Sequence, residues 1–81
     1  MNINIGTKLL LRTEYGKSIG IVSSIESDDK FKYFYGYLIG KDKNCTFEII
    51  NADRGVICWN AKLSKRYGHN ASFIESIEIQ E

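Results

Sequence analysis

The segment 31–40 constrains the fold more than any other part of the chain, because nearly every side chain in it is aromatic, aliphatic or glycine. With the two-residue period of a β-strand, one face carries Phe31, Tyr33, Tyr35, Tyr37 and Ile39, and the other carries Lys32, Phe34, Gly36, Leu38 and Gly40. When a strand is apolar on both faces, one of the two faces packs into the core of the protein. The other face must meet a second strand, the far wall of a barrel, or a partner.

Gly36 decides which face of this strand we expect to be inside. Glycine weakens a strand and marks a bend or bulge, where curvature is sharpest. We therefore predict that Phe34 and Leu38 point into the core. The three tyrosines of the opposite face are then expected to lie at least partly on the outer surface.

Short runs of alternating apolar residues, separated by turns rich in Gly, Asp and Asn, predict the remaining strands. These runs cover residues 7–14, 19–26, 45–50, 56–60 and 72–80. The sequence thus predicts an all-β domain, either a small five- to six-stranded SH3-like barrel or a sandwich, with one short helical turn near 61–68. With 81 residues, the whole chain from 1 to 81 is expected to be a single domain.

Aromatic and cysteine side chains outside the central strand are expected to be mostly buried. We predict that Phe31, Phe47 and Phe73 lie in the core, and that Trp59 is buried or half-buried. A hairpin at 51–55 would put Ile50 near Val56 and leave Cys45 and Cys58 too far apart for a disulfide. Both thiols are therefore expected to be reduced.

Charge and hydropathy restrict the cellular compartment and the classes of partner that we expect for this chain. The net charge is only +1, from 11 basic and 10 acidic side chains, whereas nucleic-acid-binding domains usually carry a clear basic excess. One local basic cluster does occur, formed by Lys62, Lys65, Arg66 and His69. Because no apolar run approaches the roughly 20 residues of a membrane span, and the N-terminal residues lack signal-peptide features, we expect a cytoplasmic protein.

No group of residues has the spacing of a known catalytic or metal site. Gly16-Lys17-Ser18 resembles the end of a phosphate-binding loop, but Leu11 stands where the motif needs its first glycine. Cys45, Cys58 and His69 lack the paired spacing of zinc ligands. We therefore predict a protein that is not an enzyme and uses no cofactor or metal.

The opening of the chain resembles the KOW-type start of SH3-like barrels. In that family a glycine precedes a short apolar strand, a glycine-containing turn follows, and a Gly-apolar-Val step begins the next strand. The matching residues here are Gly6, Leu9-Leu10-Leu11, Gly16 and Gly20-Ile21-Val22. The resemblance implies a small barrel. It also implies binding to nucleic acid or to ribosomal and transcription machinery, although this chain lacks the usual basic surplus.

Surface recognition is the function that these features favour. Our first hypothesis is a protein-binding module that contacts a larger protein through Tyr33, Tyr35, Tyr37 and Trp59. The overall character resembles small accessory proteins of phages and mobile elements, which implies inhibition by steric block of a host or defence protein. Homodimerisation is compatible with this hypothesis.

The alternative hypothesis is a nucleic-acid-binding barrel. Bases would stack on the tyrosines, and phosphates would be contacted by Lys32, Lys62, Lys65 and Arg66. This hypothesis predicts an affinity that falls steeply with salt.

Overall fold

A computed structural model describes residues 2–42, 44–59 and 71–80. These residues form seven strands and no helix: β1 (Lys8–Thr13), β2 (Gly16–Ser27), β3 (Lys32–Leu38), β4 (Thr46–Ile50), β5 (Arg54–Cys58), β6 (Ala71–Phe73) and β7 (Ser76–Ile79). All pairings are antiparallel, and the strand order is β6-β5-β4-β3-β2-β1-β7. The prediction of an all-β fold is confirmed, while the predicted helical turn near 61–68 lies outside the described residues.

The sheet curls so that a two-residue connection joins the strands at its two ends. β6 and β7 stand at opposite ends of the strand order, yet only Ile74 and Glu75 separate them in sequence. The amide of Ile74 donates to the carbonyl of Gly55 beside β6 (2.8 Å), and the amide of Glu75 donates to the carbonyl of Arg12 in β1 (2.7 Å). Two consecutive amides thus join the ends of the sheet. The result is a curled half-barrel, compatible with a small SH3-like barrel.

The core occupies the inner face of this curled sheet. Alternating side chains of β1 to β5 supply most of it, and its central members are Leu9, Leu11, Val22, Phe34, Leu38, Phe47, Ile49 and Ile57. In β3, Phe34 and Leu38 are each only 3% exposed, and the intervening Gly36 is also buried. The predicted inward face of the central strand is therefore confirmed.

Two glycines on neighbouring strands make room for the ring of Phe47. A β-carbon on Gly20 would lie 2.5 Å from ring atom Cε2, and one on Gly36 would lie 2.6 Å from Cζ. Both distances are too short for carbon atoms, so the ring can occupy this position only because both residues lack a side chain. The irregularity expected near Gly36 is in the adjacent strand β2, whose register shifts between Val22 and Ser24.

Two of the phenylalanines expected in the core are on the surface. Phe73 is 82% exposed and Phe31 is 43% exposed. Phe73 would share the inward phase of Ile77 and Ile79 if residues 72–80 formed one strand. The chain instead breaks between β6 and β7, and this break reverses the phase, so that Ser72 and Ile74 face inward. Phe31 is outside the core because it precedes β3 and belongs to the loop after β2.

The hairpin between β4 and β5 has a different register from the one predicted. Ile50 pairs with Arg54, not with Val56, because the tight turn at 51–53 uses positive φ angles at Asn51 (55°) and Ala52 (66°). Cys58 consequently pairs with Thr46, the residue after Cys45. The two cysteines are closer in the ladder than predicted. Both are free thiols and both are buried.

The first and last residues of the remaining strands differ only slightly from those predicted. β2 begins at Gly16 instead of residue 19, and only Glu14 and Tyr15 form the turn before it. The segment that carries the KOW-type resemblance forms β1 and the first half of β2. In the described part of the chain, no helix has the length and apolar character needed to cross a membrane.

Candidate functional site

The tyrosines of β3 form a row of rings on the outer face of the sheet. The rings of Tyr33 and Tyr35 are stacked, with centroids 6.3 Å apart and planes inclined by 15°. Phe31 extends the row at the start of the strand, with its ring centroid 6.3 Å from that of Tyr33. Tyr33 and Tyr35 are half-buried and Tyr37 is 44% exposed, as predicted. Three side chains two residues apart on one strand therefore present a continuous aromatic surface.

A carboxylate anchors the first tyrosine of the row. The hydroxyl of Tyr33 donates to Oδ2 of Asp28 at 3.3 Å. The other carboxylate oxygen, Oδ1, accepts hydrogen bonds from the amides of Lys30 (2.9 Å) and Phe31 (2.8 Å). These bonds, led by the one from Phe31, lower the pKa of Asp28, because they favour the charged carboxylate. The loop before β3 is thus held in place by an ionised side chain.

A second carboxylate lies beside the middle of the row. Glu48 of β4 is directly opposite Tyr35 in the ladder and accepts a hydrogen bond from its hydroxyl. Desolvation, followed by the charge of Glu48, raises the pKa of Tyr35. Desolvation and then the charge of Asp28 raise the pKa of Tyr33. Both phenols therefore stay protonated near neutral pH, and the surroundings of the row carry negative charge.

The face of the sheet that carries the tyrosines continues across the next strands. Tyr35, Glu48, Val56 and Phe73 occupy successive positions in the ladder from β3 to β6, and Ile50 pairs with Tyr33. A shallow cleft of about 220 Å³ is lined by Ile50, Val56 and Phe73 together with the charged residues Glu48 and Arg54, and Val56 itself is buried. We define the outer-face patch as Tyr33, Tyr35, Tyr37, Glu48, Ile50, Val56 and Phe73. It combines aromatic and aliphatic groups with one carboxylate.

The cation predicted to accompany the tyrosines lies on the opposite side of β3. Lys32 has the same strand phase as Phe34, and its Nζ is 5.7 Å from the centroid of the Phe34 ring. It is therefore attached to the inward side of the strand end and is not part of the outer-face patch. The other predicted phosphate contacts, Lys62, Lys65 and Arg66, lie outside the described residues, as does His69.

Trp59 is in a different place from the tyrosines. It follows β5, is half-buried as predicted, and packs against the core. Its indole Nε1 donates to Oγ of Ser72 at 2.8 Å. It lines a cleft with Tyr15 and Lys17 at the β1–β2 turn. The predicted binding residues thus divide between two surfaces, with the tyrosines on one and Trp59 on the other.

Sequence reasoning missed Phe73, Ile50 and Glu48 as members of this surface. Phe73 is the most exposed of the large hydrophobic side chains in the described residues, at 82%. The short polar run Glu75-Ser76 after Ile74 was the one available signal that the last strand might break there. Glu48 could be placed opposite Tyr35 only once the β3–β4 register was known, because the intervening turn does not fix it by sequence.

The described residues contain no group of three or more His, Cys, Asp and Glu side chains placed to hold a metal ion. Desolvation by burial and the charge of Glu48 raise the pKa of the Cys58 thiol, so this thiol is a weak nucleophile. Comparisons of the chain with protein-family models, with curated proteins and with solved structures find no match.

Proposed function

We propose that this protein is a non-enzymatic binding module that docks onto a larger protein through its outer-face patch and blocks the surface that it covers. The observation that carries the proposal is the 82% exposure of Phe73 in the same ladder row as half-buried Tyr35. An exposed phenylalanine on the same face of a sheet as a fixed aromatic row is typical of interface cores, where Tyr, Trp and Phe are enriched. Stacked rings also lose little conformational entropy when they are covered.

The charges around the patch define the partner further. Asp28 and Glu48 contact the tyrosine row, and Glu26 pairs with Tyr33 across the ladder. A lysine or arginine of the partner would meet both a carboxylate and the face of an aromatic ring, which attracts cations. We therefore propose a partner surface that combines basic and apolar side chains.

Nucleic-acid binding by the tyrosine row has weaker support. Phosphate groups would approach Asp28, Glu26 and Glu48 closely, and like charges repel. Lys32, the described cation proposed to balance them, is on the other side of the strand. The resemblance to KOW-type barrels and to phage accessory proteins remains part of the proposal. It points to two kinds of partner, the host machinery and a defence protein.

The proposal can be tested by capture of a partner with immobilised full-length protein and matched variants. We expect the wild-type chain to retain a partner from a lysate of the natural host, and Tyr35→Ala and Phe73→Ala each to weaken that complex by about 2 kcal/mol, as expected for aromatic anchors. The purified partner should then bind the wild-type chain in an isothermal titration.

Ile5→Ala is the matched control. Ile5 is also exposed, at 67%, but it lies outside the outer-face patch. Equal retention by all variants would contradict docking through the patch. Binding of an oligonucleotide that is lost in Tyr35→Ala would favour the nucleic-acid alternative. A concentration-dependent dimer in sedimentation that Phe73→Ala abolishes would show that the patch pairs with a second copy instead.

A further inference from the structure

A second surface, separate from the outer-face patch, is a cleft of about 500 Å³ at the β1–β2 turn. This volume is within the range of about 300–1,000 Å³ that is usual for small-molecule sites. Four parts of the chain meet there. The described lining residues are Tyr15, Lys17, Ser18, Lys41, Trp59, Ala71 and Ser72.

The charge of this cleft is opposite to that of the outer-face patch. Lys17 in β2 and Lys41 in the loop after β3 line it, and none of its described lining residues is acidic. Both lysines have exposed side chains, so their ammonium groups are accessible to a ligand. Two cations without a carboxylate in a concave site favour an anionic ligand such as a phosphate.

Of the two aromatic residues of the cleft, one is held in place and the other is exposed. Trp59 is held on the core by its packing and by the 2.8 Å hydrogen bond from Nε1 to Oγ of Ser72. Tyr15 is 75% exposed at the turn. An anchored indole provides a preorganised surface for a planar ring, because its orientation is already set before binding.

We propose that this cleft binds a nucleotide, either free or as one unit of a single strand. The base packs against Trp59 and Tyr15, and the phosphate contacts Lys17 and Lys41. The site recognises the combination of a planar ring and a negative charge. It is independent of the docking surface proposed above, because the two surfaces share no described residue.

The test uses the full-length chain and the indole N–H resonance of Trp59, which is unambiguous because the chain contains one tryptophan. Adenosine monophosphate, adenosine, inorganic phosphate and a single-stranded oligodeoxyadenylate are titrated separately. We expect the indole resonance to shift with the monophosphate or the oligonucleotide, and adenosine and phosphate alone to bind at least about tenfold more weakly. A charge-assisted contact contributes about 1.5–3 kcal/mol, and 1.4 kcal/mol corresponds to tenfold in affinity.

Lys17→Ala and Lys41→Ala should each weaken binding by about tenfold or more. Lys30→Ala is the control, since Lys30 is an exposed lysine in the loop before β3 and does not line the cleft. Saturation by the monophosphate would identify a nucleotide site, and saturation by the oligonucleotide alone would identify a single-strand site. The proposal is overturned if neither ligand shifts the indole resonance, or if Lys30→Ala weakens binding as much as Lys17→Ala does.

Discussion

The ring of Phe47 occupies the space that a β-carbon on Gly20 would fill, with only 2.5 Å between that carbon and ring atom Cε2. At Gly20 the nearest obstacles are side-chain atoms of Phe47 and Leu11. At Gly36 a β-carbon would also collide with the backbone carbonyl of Ile21, which cannot move without displacing a strand. The two glycines therefore tolerate substitution differently, although they adjoin the same ring.

We expect Gly20→Ala and Gly36→Ala each to lower the free energy of unfolding, by about 1–3 kcal/mol or more, because both overpack a dense core. Combining either with Phe47→Leu separates the two effects. The smaller side chain should relieve most of the strain of Gly20→Ala and much less of that of Gly36→Ala. Urea unfolding of the single and double variants measures this coupling. Equal rescue at both positions would contradict the role assigned to the Ile21 carbonyl.

The two faces of β3 should respond differently to truncation. Phe34 is 3% exposed, so Phe34→Ala leaves a cavity and should cost about 3–5 kcal/mol, enough to unfold much of so small a domain. Tyr35 is half-buried on the outer face, so Tyr35→Ala should cost clearly less. Circular dichroism during urea titration distinguishes the two. Unfolding by Tyr35→Ala with Phe34→Ala tolerated would reverse the assignment of the faces.

Phe73 should contribute little to stability. Because 82% of its surface is exposed, Phe73→Ser is expected to change the free energy of unfolding by no more than about 0.5 kcal/mol. The same change should reduce binding of the apolar dye ANS, which reports exposed apolar surface. Ile74→Ser provides the contrast, since Ile74 is 8% exposed and joins the core. A large loss of stability in Phe73→Ser would mean that the ring is buried in solution.

Low pH should destabilise the loop before β3, because Asp28 then becomes protonated. Its pKa in the folded protein is below the ordinary value of 3.8, so its contribution to stability is present above that value and is lost as the pH falls through the folded-state pKa. We expect Asp28→Asn to reduce the acid-dependent fall of the urea midpoint below about pH 4. Asp29→Asn serves as the neighbouring control. Identical pH profiles for Asp28→Asn and the wild type would exclude this linkage.

Cys58 should react slowly in the native protein. The thiolate is the reactive form, and burial together with the charge of Glu48 raises the pKa of this thiol. Alkylation by iodoacetamide near neutral pH should therefore be much faster in urea than in the folded state, as followed by mass spectrometry. Rapid native labelling of a Cys45→Ser variant, in which Cys58 is the remaining thiol, would contradict the burial of Cys58.

The alternation along the central strand could be predicted, whereas the position of the strand break near the C-terminus could not. Gly36 between Phe34 and Leu38 identified the inward face, because a glycine within a strand marks the point of sharpest curvature. The structure adds that the missing side chain makes room for the ring of Phe47. The phase of Phe73 depends on hydrogen bonds that Ile74 and Glu75 make to two distant strands. Such contacts are not encoded in local periodicity, and the predicted core therefore included a residue that lies on the candidate site.

The division of the binding residues was only partly accessible from the sequence. Lys32 and Tyr33 are neighbours in the chain, and strand alternation alone places them on opposite faces. The partnership of Trp59 with Ser72, in contrast, joins residues on either side of the segment 60–70. Sequence spacing alone does not indicate that contact or the cleft beside it.

The joining of both sheet ends by Ile74 and Glu75 has a kinetic consequence. The pairs Leu9–Ile79 and Leu11–Ile77 link residues at nearly the full length of the chain, so they cannot form by local zipping. Topologies dominated by such distant pairs fold in roughly milliseconds to seconds, far more slowly than helical domains of this size. The hairpins from β2 to β5 can assemble first, and closure by the last strand should be the late event. Weakening β7 should then speed unfolding while leaving the folding rate nearly unchanged.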